Sequence, residues 1–364
     1  MYHIPNPKQE TRDATTIIDE DGSSWPCGNG NILAEIFADS PIYRRETPPL
    51  VICPDGREIG SASKRGERIV RVFVDADTAM QNAARIVGYA SEKFKSDKNH
   101  PKTFDSSHAM AVNRKLDDFV ARLHEPDASA VAASEKIFEQ VDQEVALDTI
   151  SSQMELSVVG GSPSVGAFLG GSPASMYRQV SPMRDDGPVR IFVDLSSSAG
   201  YSEEGVRGRG IAMLALARCI QRLRPVELWV CTSGTAEQYV PKGDTKTKKH
   251  RAHTLFAMRL SVSPFDVGMA SRMLADPFGG RGFCYRAELR SVGHPCAADG
   301  ALAFSPIPFE TSCGATDNDI CFGPMYAGAK GAIGKDVSPA EWVKSEIIAW
   351  LDRNGNTTAS AMLG

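Results

Sequence analysis

The sequence predicts an α/β protein. A three-layer domain around a mostly parallel sheet is expected over residues 151–364, after an α+β, helix-rich region over 31–150 and an irregular arm over 1–30. Three observations carry the prediction. PVRIFVDL (188–195) is an apolar, β-branched run of the kind that forms a strand buried on both faces. GRGIAMLALARCIQRL (208–223) has the length and composition of a buried helix. RPVELWVCTS (224–233) is a second buried-type strand. A strand, a helix and a strand this close together predict a right-handed crossover and a parallel pair. Gly208 and Gly210 are expected to let the helix approach the sheet closely.

The elements after this unit follow the same logic. TLFAMRLSVSPF (254–265) predicts a third strand and DVGMASRML (266–274) a short helix capped by Asp266. Residues 277–315 are turn-rich and carry no clear period. DICFGPMY (319–326) predicts a last strand. In SPAEWVKSEIIAWLDRNGN (338–356), Ser338 caps, Pro339 is first in the helix and Glu341 completes a capping box. Asn354-Gly355 ends that helix.

The first half is less regular. NILAEIFAD (31–39) suggests a short helix, and PPLVICPDGREIG (48–60) a strand, a turn and a strand. ERIVRVFVDADTAMQ (67–81) passes from strand to helix with Asp77 or Thr78 as cap. Two helices are expected in NRKLDDFVARLHE (113–125) and SAVAASEKIFEQVDQEVAL (129–147). Between the halves lies LSVVGGSPSVGAFLGGSPASMY (156–177), with two G-G-S-P units. Its turn chemistry predicts two tight turns around one short helix, each serine capping and each proline first. The alternative is an anion-binding loop of backbone N–H groups, without the lysine of a P-loop.

Composition narrows the function classes. The chain of 364 residues is 42% hydrophobic and 23% charged, with a net charge of −5. That argues against bulk electrostatic binding to nucleic acid. Eight cysteines form no C-x-x-C pair, which fits a reducing, cytoplasmic compartment. Neither a signal peptide nor a membrane span is expected, so no membrane partner is predicted.

Three patterns could carry chemistry. Asp194, Ser196 and Ser198 form D-x-S-x-S directly after a strand. Short oxygen donors in one loop suit a hard cation such as Mg²⁺, and open α/β sheets bind ligands at the carboxyl ends of strands. The plainer alternative is that they turn the chain and cap the helix. A basic loop of Lys242, Lys246, Lys248, Lys249, His250 and Arg251 could touch phosphates or simply form a solvated hairpin tip. Cys284, His294, Cys296, Cys313 and Cys321 could ligate zinc, with spacings of no standard finger or ribbon. GAKGAIGKD (328–336) misses the P-loop pattern, and no nucleophile elbow or H-E-x-x-H is present.

The D-x-S-x-S spacing and its order of strand, motif, helix and strand over 188–275 resemble the von Willebrand factor A domains and their metal-ion-dependent adhesion site. That resemblance implies a Mg²⁺ site completed by a threonine and an aspartate from later loops. Thr232 or Thr235 and Asp266 are the candidates here, and the usual T-D-G is absent. Further, VGAFLGGSPASM (165–176) with RGRGIAMLAL (207–216) resembles a group of tailed-phage and prophage proteins that carry a VGAYLxGxPexM motif. The leading expectation is a phage-encoded, non-enzymatic interaction protein that binds a protein partner, with homo-oligomerisation open. A nucleic-acid-binding phage protein and a virion component are the alternatives.

Overall fold

The computed structural model describes residues 16–18, 24–26, 40–46, 68–83, 86, 118–145, 153–158, 162–180, 187–196, 202–240, 248–261, 267–277, 279–291, 309–325 and 337–354. The strands are β1 (Thr16–Ile18), β2 (Ser24–Pro26), β3 (Arg44–Glu46), β4 (Arg68–Asp75), β5 (Gln153–Ser157), β6 (Ser162–Pro163), β7 (Met176–Val180), β8 (Val189–Asp194), β9 (Val226–Val240), β10 (Lys248–Ser261) and β11 (Ile320–Phe322). The helices are α1 (Ala76–Gln81), α2 (Ala128–Val145), α3 (Val165–Leu169), α4 (Glu203–Leu223), α5 (Val267–Ala275), α6 (Gly279–Ser291), α7 (Phe309–Cys313) and α8 (Pro339–Arg353).

The main sheet has six strands in the order β11-β8-β9-β10-β4-β3. It is α/β as expected, and the predicted βαβ unit is present: β8 and β9 pair in parallel across α4. β11 also runs parallel to β8, and β4 parallel to β10. The sheet is mixed, however, because β9 pairs antiparallel with β10 and β3 with β4. The reason is the connection: a parallel pair needs a crossover of a dozen or more residues, whereas only 241–247 join β9 to β10. β10 also starts earlier than predicted, so Lys248–Arg251 belong to a strand. The sheet spans residue 150, since β3 and β4 precede it and the other four strands follow it.

The pleat sorts the sheet into two faces. Val72, Val74, Ile191, Val193, Leu228, Val230, Phe256 and Met258 join the large core built with α2, α4, α5, α6 and α8. Phe73, Phe192, Trp229, Cys231, Leu255, Ala257 and Cys321 point the other way, under a smaller cover from Ile42, Phe309 and Cys313. Trp229 anchors that side, stacked on Phe192 and edge-on to Phe73.

α4 is the central helix. Ser202 caps it by accepting from Gly205 N, and Glu203 and Glu204 in its first turn suit the helix dipole. Arg207 clamps Asp127 at the start of α2 through both guanidinium NH₂ groups, at 2.8 and 3.0 Å. Gly210 permits a close approach, but to α5 and not to the sheet: a Cβ there would lie 2.1 Å from the Leu274 carbonyl oxygen. Gly208 faces open space. α8 carries the expected capping box from Ser338 and Glu341, and Trp350 is fully buried, donating its indole N–H to the Asn318 carbonyl.

Other expectations shift. Asp75, not Asp77 or Thr78, caps α1 by accepting from Thr78 N. α6 forms at the start of the stretch that had no clear period; Asp276 accepts from Gly279 N at its start. The arm over 1–30 contains the antiparallel pair β1–β2. In the G-G-S-P region one short helix does form, but its cap is Ser164; Ser162-Pro163 is the strand β6, and Ser172-Pro173 starts no helix. Gly171 supplies the left-handed turn, with φ of 70°. The elements expected in 31–39 and 48–60 lie outside the described residues.

Candidate functional site

β8 ends at Asp194, whose backbone register matches Cys231 on β9. The carboxyl ends of β8 and β11 lie at one edge of the sheet because these strands are parallel. From the same edge β9 continues beyond Asp194 and, with the start of β10, forms a two-stranded ribbon.

Asp194 is fully buried. One carboxylate oxygen accepts from Ser196 N at 2.8 Å, and the other accepts from the Ser233 hydroxyl. Burial pushes its pKa up, and the Ser233 and Ser196 donors and the charge of Arg209 pull against that. The Ser196 hydroxyl lies close enough to help hold the charge but outside hydrogen-bonding geometry, and it has no hydrogen-bond partner among the described residues.

Arg209 reaches this edge from α4 and is 4% exposed. Its guanidinium donates to the carbonyl oxygens of Asp194 (2.8 Å), Gly323 (2.7 Å) and Phe322 (3.3 Å). Strand ends leave such carbonyls without ladder partners, and water cannot answer them under a helix. The segment after β11 is tied in as well, with Met325 N donating to the Ser196 carbonyl at 2.8 Å. A small cleft between Val206, Arg209, Asp276, Arg281 and Met325 opens beside this edge.

Of the predicted cation ligands, the structure brings together Asp194 and Ser196; Ser198 and Asp266 lie outside the described residues. Thr232 is 1% exposed and its hydroxyl has no hydrogen-bond partner among the described residues. Its register partner is Phe256, on the helix-covered face, whereas Ser233 pairs with Leu255 on the face of Asp194. The pleat thus offers Ser233 to the carboxylate and turns Thr232 away. The described donors toward a cation are one carboxylate, engaged at both oxygens, and the Ser196 hydroxyl. That is short of the six oxygens a Mg²⁺ ion takes, and Arg209 already brings a positive charge. Any further ligands would have to come from the adjoining loops.

Ser233 and Arg209 were not singled out from the sequence. Arg209 had a readable signal: it stands three and four residues before Ala212 and Met213, on the buried stripe of an apolar helix. Ser233 had none, since its role depends on strand register.

In the basic segment, Lys248, Lys249 and Arg251 occupy the first positions of β10, opposite Val240, Tyr239 and Glu237. Lys242 and Lys246 lie outside the described residues. Of the late zinc candidates, Cys284 is in the helix-side core, while Cys313 and Cys321 lie on the opposite face with Cys231; His294 and Cys296 lie outside the described residues. Among the described residues, no group of three or more His, Cys, Asp or Glu could hold a metal ion. Burial pushes the Cys219 thiol up to about 12, and Cys231 and Cys313 are raised for the same reason, as suits inert core thiols.

Fold and site together define a mixed-sheet α/β protein with a buried aspartate–arginine centre at the carboxyl edge. The chain belongs to the family described as a domain of unknown function (DUF7192), whose model matches residues 63–292, more than half of the chain. The match runs from just before β4 to the end of α6. No curated protein and no solved structure matches the chain. No helix among the described residues is long and apolar enough to cross a membrane.

Proposed function

We propose that the chain is a non-enzymatic interaction protein, phage-encoded and von Willebrand A-like, that binds a protein partner through the loops at the carboxyl edge of β8 and β11. One observation carries this reading: the edge is braced by the buried Asp194–Arg209 centre, where open α/β sheets receive ligands. Binding is favoured over catalysis because the charged groups there are tied to the scaffold. Asp194 is held by Ser196 N and Ser233, and Arg209 by three carbonyls. In the cation-assisted form of the reading, Asp194 and Ser196 would hold Mg²⁺ with Ser198 and Asp266, and the ion would supply a Lewis-acidic contact for the partner.

The test has two arms. Glu203 and Glu204 are exposed at this edge, so the double charge reversal Glu203→Lys/Glu204→Lys should abolish capture of a specific partner, while Lys344→Glu on α8 should not. Equal capture by both variants overturns the reading. Separately, Mg²⁺ should raise the melting temperature of the wild type but not of Ser196→Ala; no response in the wild type removes the cation.

A second reading, nucleic-acid binding, has one observation in its favour. The β9–β10 ribbon carries Lys248, Lys249 and Arg251 past the end of β8, and two-stranded ribbons fit the major groove. Binding to duplex DNA should then weaken steeply with salt and with Lys248→Glu/Lys249→Glu. A flat salt response rules it out.

A further inference from the structure

The β9–β10 ribbon runs beyond both strands that flank it. The β8 register stops at Cys231 of β9, and the β4 register stops at Ala252 of β10. The pairs from Glu237–Arg251 to Val240–Lys248 therefore have only each other as strand partners among the described residues. Over residues 237–251 the sequence holds five Lys or Arg against two Asp or Glu, in a chain with a net charge of −5. Charge complementarity thus favours a polyanion at this end of the sheet.

The register decides which residues share a face. It runs unbroken from Lys248 to Arg259. Cys231 and Leu255 lie on the sheet face opposite the helical core. Alternation along each strand carries that face outward through the pairs Thr235–His253, Glu237–Arg251 and Tyr239–Lys249. The other face receives Ala236–Ala252, Gln238–His250 and Val240–Lys248. The first face thus collects a phenol, a guanidinium and an imidazole, three planar groups on which nucleic-acid bases stack. Lys249, the register partner of Tyr239, adds a cation for a phosphate beside a stacked base. Glu237, the register partner of Arg251, offsets charge there and leaves the guanidinium plane. Such planes find no free base in an intact duplex, which is read by hydrogen bonds to base edges in its grooves.

We propose that this ribbon face binds single-stranded nucleic acid, with a base stacked on Tyr239 and a phosphate held by Lys249. It rests on the nucleic-acid reading of the ribbon and narrows the ligand from a duplex to a single strand. The test is fluorescence anisotropy of the full chain with labelled oligo(dT) and oligo(U) of about 15 nucleotides, and with a duplex of the same length. Both single strands should bind more tightly than the duplex, and the tighter of the two identifies the sugar. Tyr239→Leu should weaken single-strand binding at least about fivefold, with the slope of log affinity against log salt unchanged. Lys249→Gln should reduce that slope by about 0.7, the share of one phosphate contact. Tyr239→Trp keeps a stacking plane and should bind as tightly as the wild type, which separates loss of stacking from loss of fold. Duplex binding as tight as single-strand binding overturns the single-strand assignment and leaves the nucleic-acid reading standing. So does wild-type affinity in Tyr239→Leu, or weakened affinity in Tyr239→Trp. Binding to none of the three probes overturns both.

Discussion

Replacing Arg209 by methionine tests the centre most directly. The substitution keeps the apolar stem but deletes the donors to Asp194 O, Phe322 O and Gly323 O. A buried acceptor left without a partner costs about 1–3 kcal/mol, and three of them would cost the most if none were rehydrated. Asp194 also loses the positive charge that opposes its desolvation. Breaking one side of a buried charge pair typically costs about 3–5 kcal/mol, and we take that as the net because the cleft beside Arg209 lets water reach part of the gap. At about 2–4 °C per kcal/mol for a domain of this size, the melting temperature should fall by roughly 6–20 °C. Urea denaturation of the wild type, Arg209→Met, Asp194→Asn and the double variant gives the cycle. Asp194→Asn removes the charge that Arg209 balances, so the double variant should recover at least about 0.5 kcal/mol relative to the sum of the singles. A loss below about 1 kcal/mol for Arg209→Met, or strict additivity in the cycle, would refute the electrostatic account.

Four further outcomes follow from the same structure. Gly210→Ala should destabilise by about 1–3 kcal/mol in calorimetry, because its Cβ would meet the Leu274 carbonyl at 2.1 Å and push α4 from α5. Thr232→Val should raise stability in denaturant titration by about 1 kcal/mol, since it removes a buried hydroxyl with no partner. Arg207 holds the Asp127 carboxylate below its ordinary value of 3.8, so this pair stabilises above that pH and its contribution is lost on acidification through the lowered folded value. The acid limb of stability against pH should be flatter in Asp127→Asn than in the wild type. Ser338→Ala should cost about 1 kcal/mol by removing the cap of α8, and Ser338→Asp should restore most of it.

What was legible in the sequence depended on local signals. The α8 boundaries are encoded within the segment by Ser338, Pro339, Glu341 and Asn354, and they appear as expected. The β8–α4–β9 unit was legible because buried parallel strands are apolar throughout, as the burial of β8 shows. The direction of β10 was not, because its apolar run is the same in either orientation; the short link at 241–247 decides it. α6 escaped notice because Gly279, Gly280 and Gly282 lower helix propensity. Its structure explains two of those glycines: a Cβ at Gly279 would strike Phe119, and one at Gly280 the Met273 carbonyl. At the site, Asp194 and Ser196 were visible as neighbours in sequence. Arg209, Ser233 and the orientation of Thr232 depend on register and on packing between elements.

The polar centre follows from a sequence of physical necessities. The carboxyl ends of β8 and β11 present carbonyls at Asp194, Phe322 and Gly323 beneath α4, and Arg209 answers all three. A buried guanidinium needs a negative counterpart, which Asp194 provides. The Asp194 oxygens need donors, and Ser196 N and Ser233 supply them. The fold thus engages both oxygens of Asp194 and both terminal NH₂ groups of Arg209, whether or not anything binds. Among the described residues the hydroxyls left over are those of Ser196 and Thr232, and the pleat turns Thr232 toward the helices. Substituting Asp194 therefore tests the scaffold, because it frees the donors at Ser196 and Ser233. Substituting Ser196 leaves that arrangement intact, since its backbone N–H still reaches the carboxylate. A binding defect in Ser196→Ala with unchanged stability would accordingly report on a ligand at the edge, whereas the same defect in Asp194→Ala would report first on folding.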